Sequence, residues 1–197
     1  MTRRLFLPLV ALIAVAAPAL AIPPVPRPEG EFVINLPDGT QKLLTSYRGK
    51  VVCLAFISTT CPHCQHASQV LTQLYKEYGS QGFQPLAVAF NPMAKMLVPD
   101  FVRNFGIPFP VGAAESDVVF NYLGISPLER SVVPQLLWID RNGQIRSQTP
   151  AMGDDKMLGE PYWREMITTL LKERASSKTT HHPASTPKTT KAASHAS

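Results

Sequence analysis

Three short apolar runs set the rhythm of the chain. Val51–Ile57 is seven apolar residues in succession, rich in β-branched types, and Leu86–Phe90 and Leu136–Ile139 are shorter versions. Uninterrupted runs of this length suit strands covered on both faces, because a solvent-facing side would demand polar residues at alternate positions. Between the runs the period changes. Ala67, Val70, Leu71, Leu74 and Tyr78 recur at helical spacing and predict a helix after Cys61. Phe101, Val102 and Phe105 follow Pro99, which predicts a helix start there, since the first helical position needs no N–H. Ser116 is placed to cap a short helix carrying Val118, Val119, Tyr122 and Leu123. Trp163, Met166, Ile167, Leu170 and Leu171 form a last stripe, opened by Pro161. Arg141-Asn142-Gly143-Gln144, directly after the third run, is a tight-hairpin signal. Strands alternating with helices, then a closing hairpin and helix, predict α/β layers.

The two ends of the chain follow other patterns. Met1–Arg4 is short and basic, and Leu5–Leu20 is apolar except for Pro8 and Pro18. Ala19 and Ala21 put small residues at the two positions a signal peptidase reads, so residues 1–21 are expected to be a signal peptide cleaved after Ala21. A retained anchor is the alternative, but the run falls short of the ~20 residues of a spanning helix and holds two prolines. No cysteine follows Ala21 to take a lipid. The expected location is the periplasm or another extracytoplasmic space, without stable membrane insertion. Residues 22–30 read as an extended proline-rich leader, and 31–174 as one domain large enough for a sizeable core. Residues 175–197 are almost wholly Ala, Ser, Thr, Lys, His and Pro and read as a disordered tail.

Composition changes this picture at two points. The formal charge is +5, which first suggests nucleic acid or acidic surfaces. Arg3, Arg4, Lys178, Lys188 and Lys191 account for the whole excess, so Ile22–Arg174 is balanced and implies no nucleic-acid-binding domain. Three cysteines are too few for a disulfide-dense scaffold, so each is read singly.

The candidate chemistry lies at Cys61-Pro62-His63-Cys64. Two cysteines three apart, after a buried strand and opening a helix, form a compact redox pair. Cys61 falls at the helix start, where unpaired N–H groups and the positive dipole end favour a thiolate. Pro62 suits the first helical position, and His63 offers the same sulfur a hydrogen bond or positive charge. Cys64, one turn in, is expected to be buried and to resolve the mixed disulfide that Cys61 forms with a substrate. Other uses of the tetrad have requirements of their own. Structural zinc needs a second Cys/His pair, and the body offers only Cys53 and His66. Haem attachment needs His directly after the second cysteine, where Gln65 stands. Copper held by soft thiolates and an inert structural disulfide stay open as alternatives. Cys53 reads as a buried small residue, and His66 as a solvated or capping histidine.

With these residues in view, the chain resembles the thioredoxin-fold thiol-disulfide oxidoreductases of the TlpA/ResA type, within the wider redoxin (AhpC/TSA-like) superfamily. The similarity runs from about Glu31 to Gln148. Tyr47-Arg48-Gly49-Lys50 before Val51–Phe56 looks like the family's "RGK" entry to the central strand, and the redox tetrad follows in place. Val133-Pro134, Leu137-Trp138-Ile139-Asp140 and Asn142-Gly143 look like the cis-proline strand and its hairpin. The resemblance implies a three-layer thioredoxin-like sandwich, with a central mixed sheet and helices on both faces. It implies a cis Pro134 beside Cys61, with Val133 pairing its backbone to an extended substrate. Two departures stand out: Ala55 and Ala67 occupy positions where relatives carry an acidic residue, and Ser58-Thr59-Thr60 replaces the Trp before the tetrad.

The expectation is thus an exported thiol-disulfide oxidoreductase, monomeric and without a cofactor or metal. Cys61, Cys64 and His63 are its catalytic residues, and Pro62, Val133 and Pro134 bind substrate. Its partners are cysteine-containing proteins and an upstream redox protein; the direction of exchange is open. Rival readings are a peroxiredoxin-like thiol peroxidase and a Sco-like copper-delivery protein. The first expects Pro and Thr/Ser where Leu54 and Ser58 stand. The second needs a distant histidine, available only at His181, His182 and His195.

Overall fold

The computed structural model describes residues 22–173. In chain order the strands are β1 (Arg27–Pro28), β2 (Val33–Asn35), β3 (Gln41–Leu43), β4 (Val51–Ile57), β5 (Phe83–Ala89), β6 (Val111–Ala113), β7 (Gln135–Ile139) and β8 (Gln144–Gln148). The helices are α1 (Pro62–Tyr78), α2 (Ala94–Phe105), α3 (Ser116–Leu123) and α4 (Glu160–Lys172). The strands form one mixed sheet in the order β1-β8-β7-β4-β5-β6-β2-β3. β4 is parallel to β5 and antiparallel to β7.

β4 shows why the run Val51–Ile57 has no polar position. All seven side chains are buried, and they alternate between two cores. Val51, Cys53, Ala55 and Ile57 meet α1, α2 and α4 through Leu71, Phe101 and Trp163 among others. Val52, Leu54 and Phe56 meet the other face, built from Phe32, Ile34, Leu44 and the α3 residues Val119 and Leu123. Helices therefore cover both faces, and the three-layer α/β expectation holds. Cys53 lies fully buried in the first core, as its place in mid-strand predicted.

Some local expectations shift. β5 starts at Phe83, before the predicted Leu86, and runs through Pro85. Pro85 is tolerated because its missing N–H faces the β6 side, where pairing begins only at Ala87. The helix predicted to open at Pro99 starts one turn earlier, at Ala94, and Pro99 lies inside it. The apolar stripe Ala94, Val98 and Phe101 packs on the core and outweighs the one helical bond that proline forgoes on the exposed face. Ser116 is not the cap of α3; Glu115 holds that position with extended backbone, and Ser116 is the first helical residue. Pro161 falls in the first turn of α4, as expected.

The hairpin Asp140–Gln144 forms where predicted. Asp140 N–H donates to Gln144 O at 2.9 Å, and Gly143 takes φ +75°, so a type I-like turn closes through a left-handed glycine. The leader residues Arg27–Pro28 extend the sheet by pairing with β8.

Candidate active site

The chain leaves β4 at Ile57 and turns through Ser58-Thr59-Thr60 into α1. The turn is pinned from both sides. Asn91, just beyond β5, accepts from Thr59 N–H at 2.9 Å, while the Gln65 side-chain amide donates to Thr59 O at 3.0 Å. Cys61 is the residue before the first helical turn, with extended backbone, and Pro62 begins α1. No side chain caps this helix end, so its orphan N–H groups remain directed at the Cys61 region.

The two thiols occupy different environments. Cys61 is partly exposed, whereas Cys64 is fully buried against β4. Burial pushes the Cys64 thiol up to about 12; Ser58 N–H, donating to its sulfur at 3.4 Å, opposes the rise, and a hydrogen bond with Cys61 adds to it. Both sulfurs are unbridged. Burial alone raises the Cys53 thiol still further, as suits an inert core residue. Ala55 and Ala67 are buried in the same core as Cys64 and bring no titratable group to it. The buried carboxylates among the described residues are Glu29 and Asp140, tied to Arg48 and to the β7–β8 hairpin. His63 and His66 are exposed, and neither hydrogen-bonds to a sulfur.

Val133 and Pro134 sit across from the helix end. Their peptide bond is cis. The Cys61 thiol donates weakly to the Val133 carbonyl at 4.0 Å. Among the described residues neither the N–H nor the C=O of Val133 pairs with another backbone group, which leaves a backbone edge open beside the exposed sulfur. A groove of about 570 Å³ opens here between His63 and His66 on one side and Met152, Asp154 and Asp155 on the other, with Val133 and Pro134 at its base. Sequence reasoning missed this second wall, the 149–159 segment between β8 and α4. It is built by hydrogen bonds that leave no periodic signal: Trp163 Nε1 donates to Met157 O at 2.8 Å, and Met157 N–H to Asp154 Oδ1 at 2.8 Å. Asn91 was missed for the same reason. A slightly larger hollow, about 640 Å³, lies beyond Asn91 around Phe90 and Met93 and contains no cysteine or histidine.

Among the described residues no group of three or more His, Cys, Asp and Glu side chains is arranged to hold a metal ion, and no helix is long and apolar enough to cross a membrane. Residues 1–21, expected to be a signal peptide, the segment 175–197, expected to be a tail, and the histidines His181, His182 and His195 lie outside the described residues.

Comparison with known proteins agrees with this geometry. The chain is 35% identical over 116 residues to the thiol-disulfide oxidoreductase ResA of Geobacillus thermodenitrificans, covering 59% of this chain and 63% of that protein. It is 31% identical over 97 residues to ResA of Bacillus subtilis, covering 49% and 54%. The matched stretch thus spans less than two thirds of these relatives. Among solved structures, a thiol:disulfide interchange protein of the thioredoxin family from Chlorobium tepidum TLS superposes with a TM-score of 0.62 at 22% identity, over 76% of this chain and 99% of that one. A thiol:disulfide interchange protein from Bacteroides sp. gives 0.60 at 14% identity, over 80% and 95%. The fold is thioredoxin-like. The profile of the AhpC/TSA family matches residues 25–148, and the chain belongs to that family.

Proposed function

We propose that this member of the AhpC/TSA family is an exported thiol-disulfide oxidoreductase that exchanges disulfides with protein substrates through Cys61 and Cys64. One observation carries the reading: a partly exposed Cys61 at an uncapped helix start stands over a buried Cys64 and beside the unpaired backbone of Val133.

In the reducing direction, the Cys61 thiolate attacks one sulfur of a substrate disulfide. An S–S bond forms between Cys61 and that sulfur, and the other substrate sulfur leaves as a thiolate. Cys64 then gives up its proton and attacks the Cys61 sulfur. The protein disulfide forms, the second substrate thiolate departs, and two electrons have passed to the substrate. The oxidising direction is the reverse. The dithiol stores the electrons, so no cofactor is needed. Val133 pairs with an extended substrate segment by strand addition. Pro62 and Pro134 shape the groove around it, and His63 tunes the thiolate from the groove wall. With Ala55 and Ala67 at the places of a proton-moving carboxylate, His66, His63 or water receives its proton.

The dithiol reading is favoured over peroxidase chemistry by the packing. Leu54, at the position where a peroxidatic site needs proline, is buried in the core on the other face of β4, and a potential resolving thiol already lies one turn from Cys61. ResA names relatives that are thiol-disulfide oxidoreductases, which supports the same choice. Partners are cysteine-bearing proteins and one upstream redox protein, met outside the cytosol by a monomer.

The test is turnover of a protein disulfide by the purified domain, followed by the reduction potential of the pair. Exchange lost on Cys61→Ser is the expected result; exchange persisting without Cys61 would overturn the assignment. A potential near ~−120 mV marks an oxidant and one near ~−270 mV a reductant.

A further inference from the structure

Gln135 is the first residue of β7, directly after Pro134, and its side chain is buried to 1% exposure. Buried glutamines need partners for both halves of the amide. Here the two halves are treated unequally. The two N–H groups of the nitrogen reach three carbonyls, one hydrogen being shared: Val132 O at 2.8 Å, Pro150 O at 3.1 Å and Ala151 O at 3.1 Å. The oxygen is buried and has no protein partner among the described residues. A buried acceptor left unmatched is costly, so packing alone is a poor reason to keep an amide here; an apolar side chain of equal size would avoid that penalty.

The three carbonyls belong to the floor of one groove and to the start of its far wall. Val132 precedes the unpaired Val133 edge, while Pro150 and Ala151 open the segment that carries Met152, Asp154 and Asp155. A backbone bond from Val132 N–H to Ala151 O, 2.9 Å, runs alongside the Gln135 tie. Gln135 therefore spans the floor and the far wall of the groove from beneath. It lies outside the groove lining and hydrogen-bonds to neither sulfur.

We infer that Gln135 is a positioning residue, which fixes the spacing between the Val132–Pro134 edge and the Pro150–Asp155 wall so that an extended peptide around the target disulfide can be seated. This rests on the oxidoreductase reading above and adds to it that recognition of peptide backbone, separately from thiol reactivity, depends on one buried amide. A disulfide without peptide on either side of the sulfur has no backbone to seat and gains little from the spacing.

The experiment compares two reporters on the reduced full-length protein: a mixed disulfide of thionitrobenzoate with a linear cysteine-containing peptide, and the same reporter on cysteamine. Gln135→Met keeps the volume and removes the donors. The expected result is a rise of about tenfold in KM for the peptide, with a smaller change in kcat, and a several-fold smaller loss with the cysteamine reporter. Gln135→Glu replaces donors with an acceptor facing three carbonyls and should lower the peptide-to-cysteamine ratio further; it carries the test if the Met protein does not fold. A ratio unchanged from wild type in either folded variant, or an equal loss on both reporters, would overturn the role of Gln135. Wild-type protein inert towards both reporters would instead overturn the oxidoreductase reading, and this inference with it.

Discussion

The two ends of β4 are built on opposite principles. At its start, polar groups are consumed by the scaffold. Arg141 donates to Gly49 O at 2.9 Å and Gln81 O at 3.1 Å, and its own carbonyl accepts from Gly49 N–H at 2.8 Å. Asp140 is buried and accepts from Asn142 N–H, Gln144 N–H and Arg146. Glu29 is buried against Arg48, and burial raises its carboxyl although Arg48 opposes the shift. At the other end, where α1 begins, the helix is uncapped, the Val133 backbone is unpaired, and Val132 and Met152 stand exposed. The same sheet thus carries a sealed end that holds the fold and an open end whose unsatisfied groups are available to a substrate. The lesson is that an unpaired backbone edge and an uncapped helix start beside the two thiols mark the site better than the size of a cavity, since the larger hollow lies elsewhere.

Substitutions can break this contrast. The largest effect belongs to the open end: Cys61→Ser should drop disulfide exchange to the uncatalysed rate, while equilibrium unfolding changes by about 0.5 kcal/mol or less. Next comes the sealed end. Asp140→Ala removes the acceptor of two backbone N–H groups and exposes Arg146 to the loss of its buried partner; about 2–4 kcal/mol of stability should go, lowering Tm by about 10 °C. Exchange per folded molecule should stay within about twofold in that variant, a split that calorimetry and a turnover assay read together.

The third prediction concerns pH. Burial holds the Cys64 thiol at about 12, above the ~8.5 of a cysteine in the unfolded chain. The folded protein keeps a proton that the unfolded chain releases, so this contribution to stability is full below about pH 8.5 and is lost as pH rises towards 12. Oxidation removes that titrating thiol. Denaturant titrations above about pH 8.5 should therefore show stability falling more steeply in the reduced protein than in the oxidised one, with Cys53 common to both. Parallel slopes would contradict the burial of Cys64. The smallest effect is Met152→Ala: its side chain is 61% exposed on the groove rim, and stability should move by about 0.5 kcal/mol or less.

Much of this was legible in the sequence, and the reasons differ by element. Val51–Ile57 announced a strand buried on both faces because both faces are in fact covered. Asn142-Gly143 announced its hairpin because a left-handed position needs glycine. Cys61 and Cys64 could be placed at a helix start because Pro62 favours the first helical turn, where its missing N–H costs nothing. The strands of two or three residues, β1, β2, β3 and β6, are too short for any period to register. Pro85 and Pro99 misled because each sits where its missing N–H has little use, which depends on neighbours distant in sequence. Gln135, Asn91 and the Met152–Asp155 wall are held by side-chain hydrogen bonds to loop backbone, which have no period, and nothing in the local sequence marks them.

The central claim is that Cys61 alone meets the substrate and Cys64 releases it. It is tested most directly by mixing a Cys64→Ser protein with a peptide disulfide and mapping the covalent adduct by mass spectrometry. The account predicts one accumulated mixed disulfide per chain, through Cys61. An adduct through Cys53, or none while the wild-type protein turns the peptide over, would contradict it.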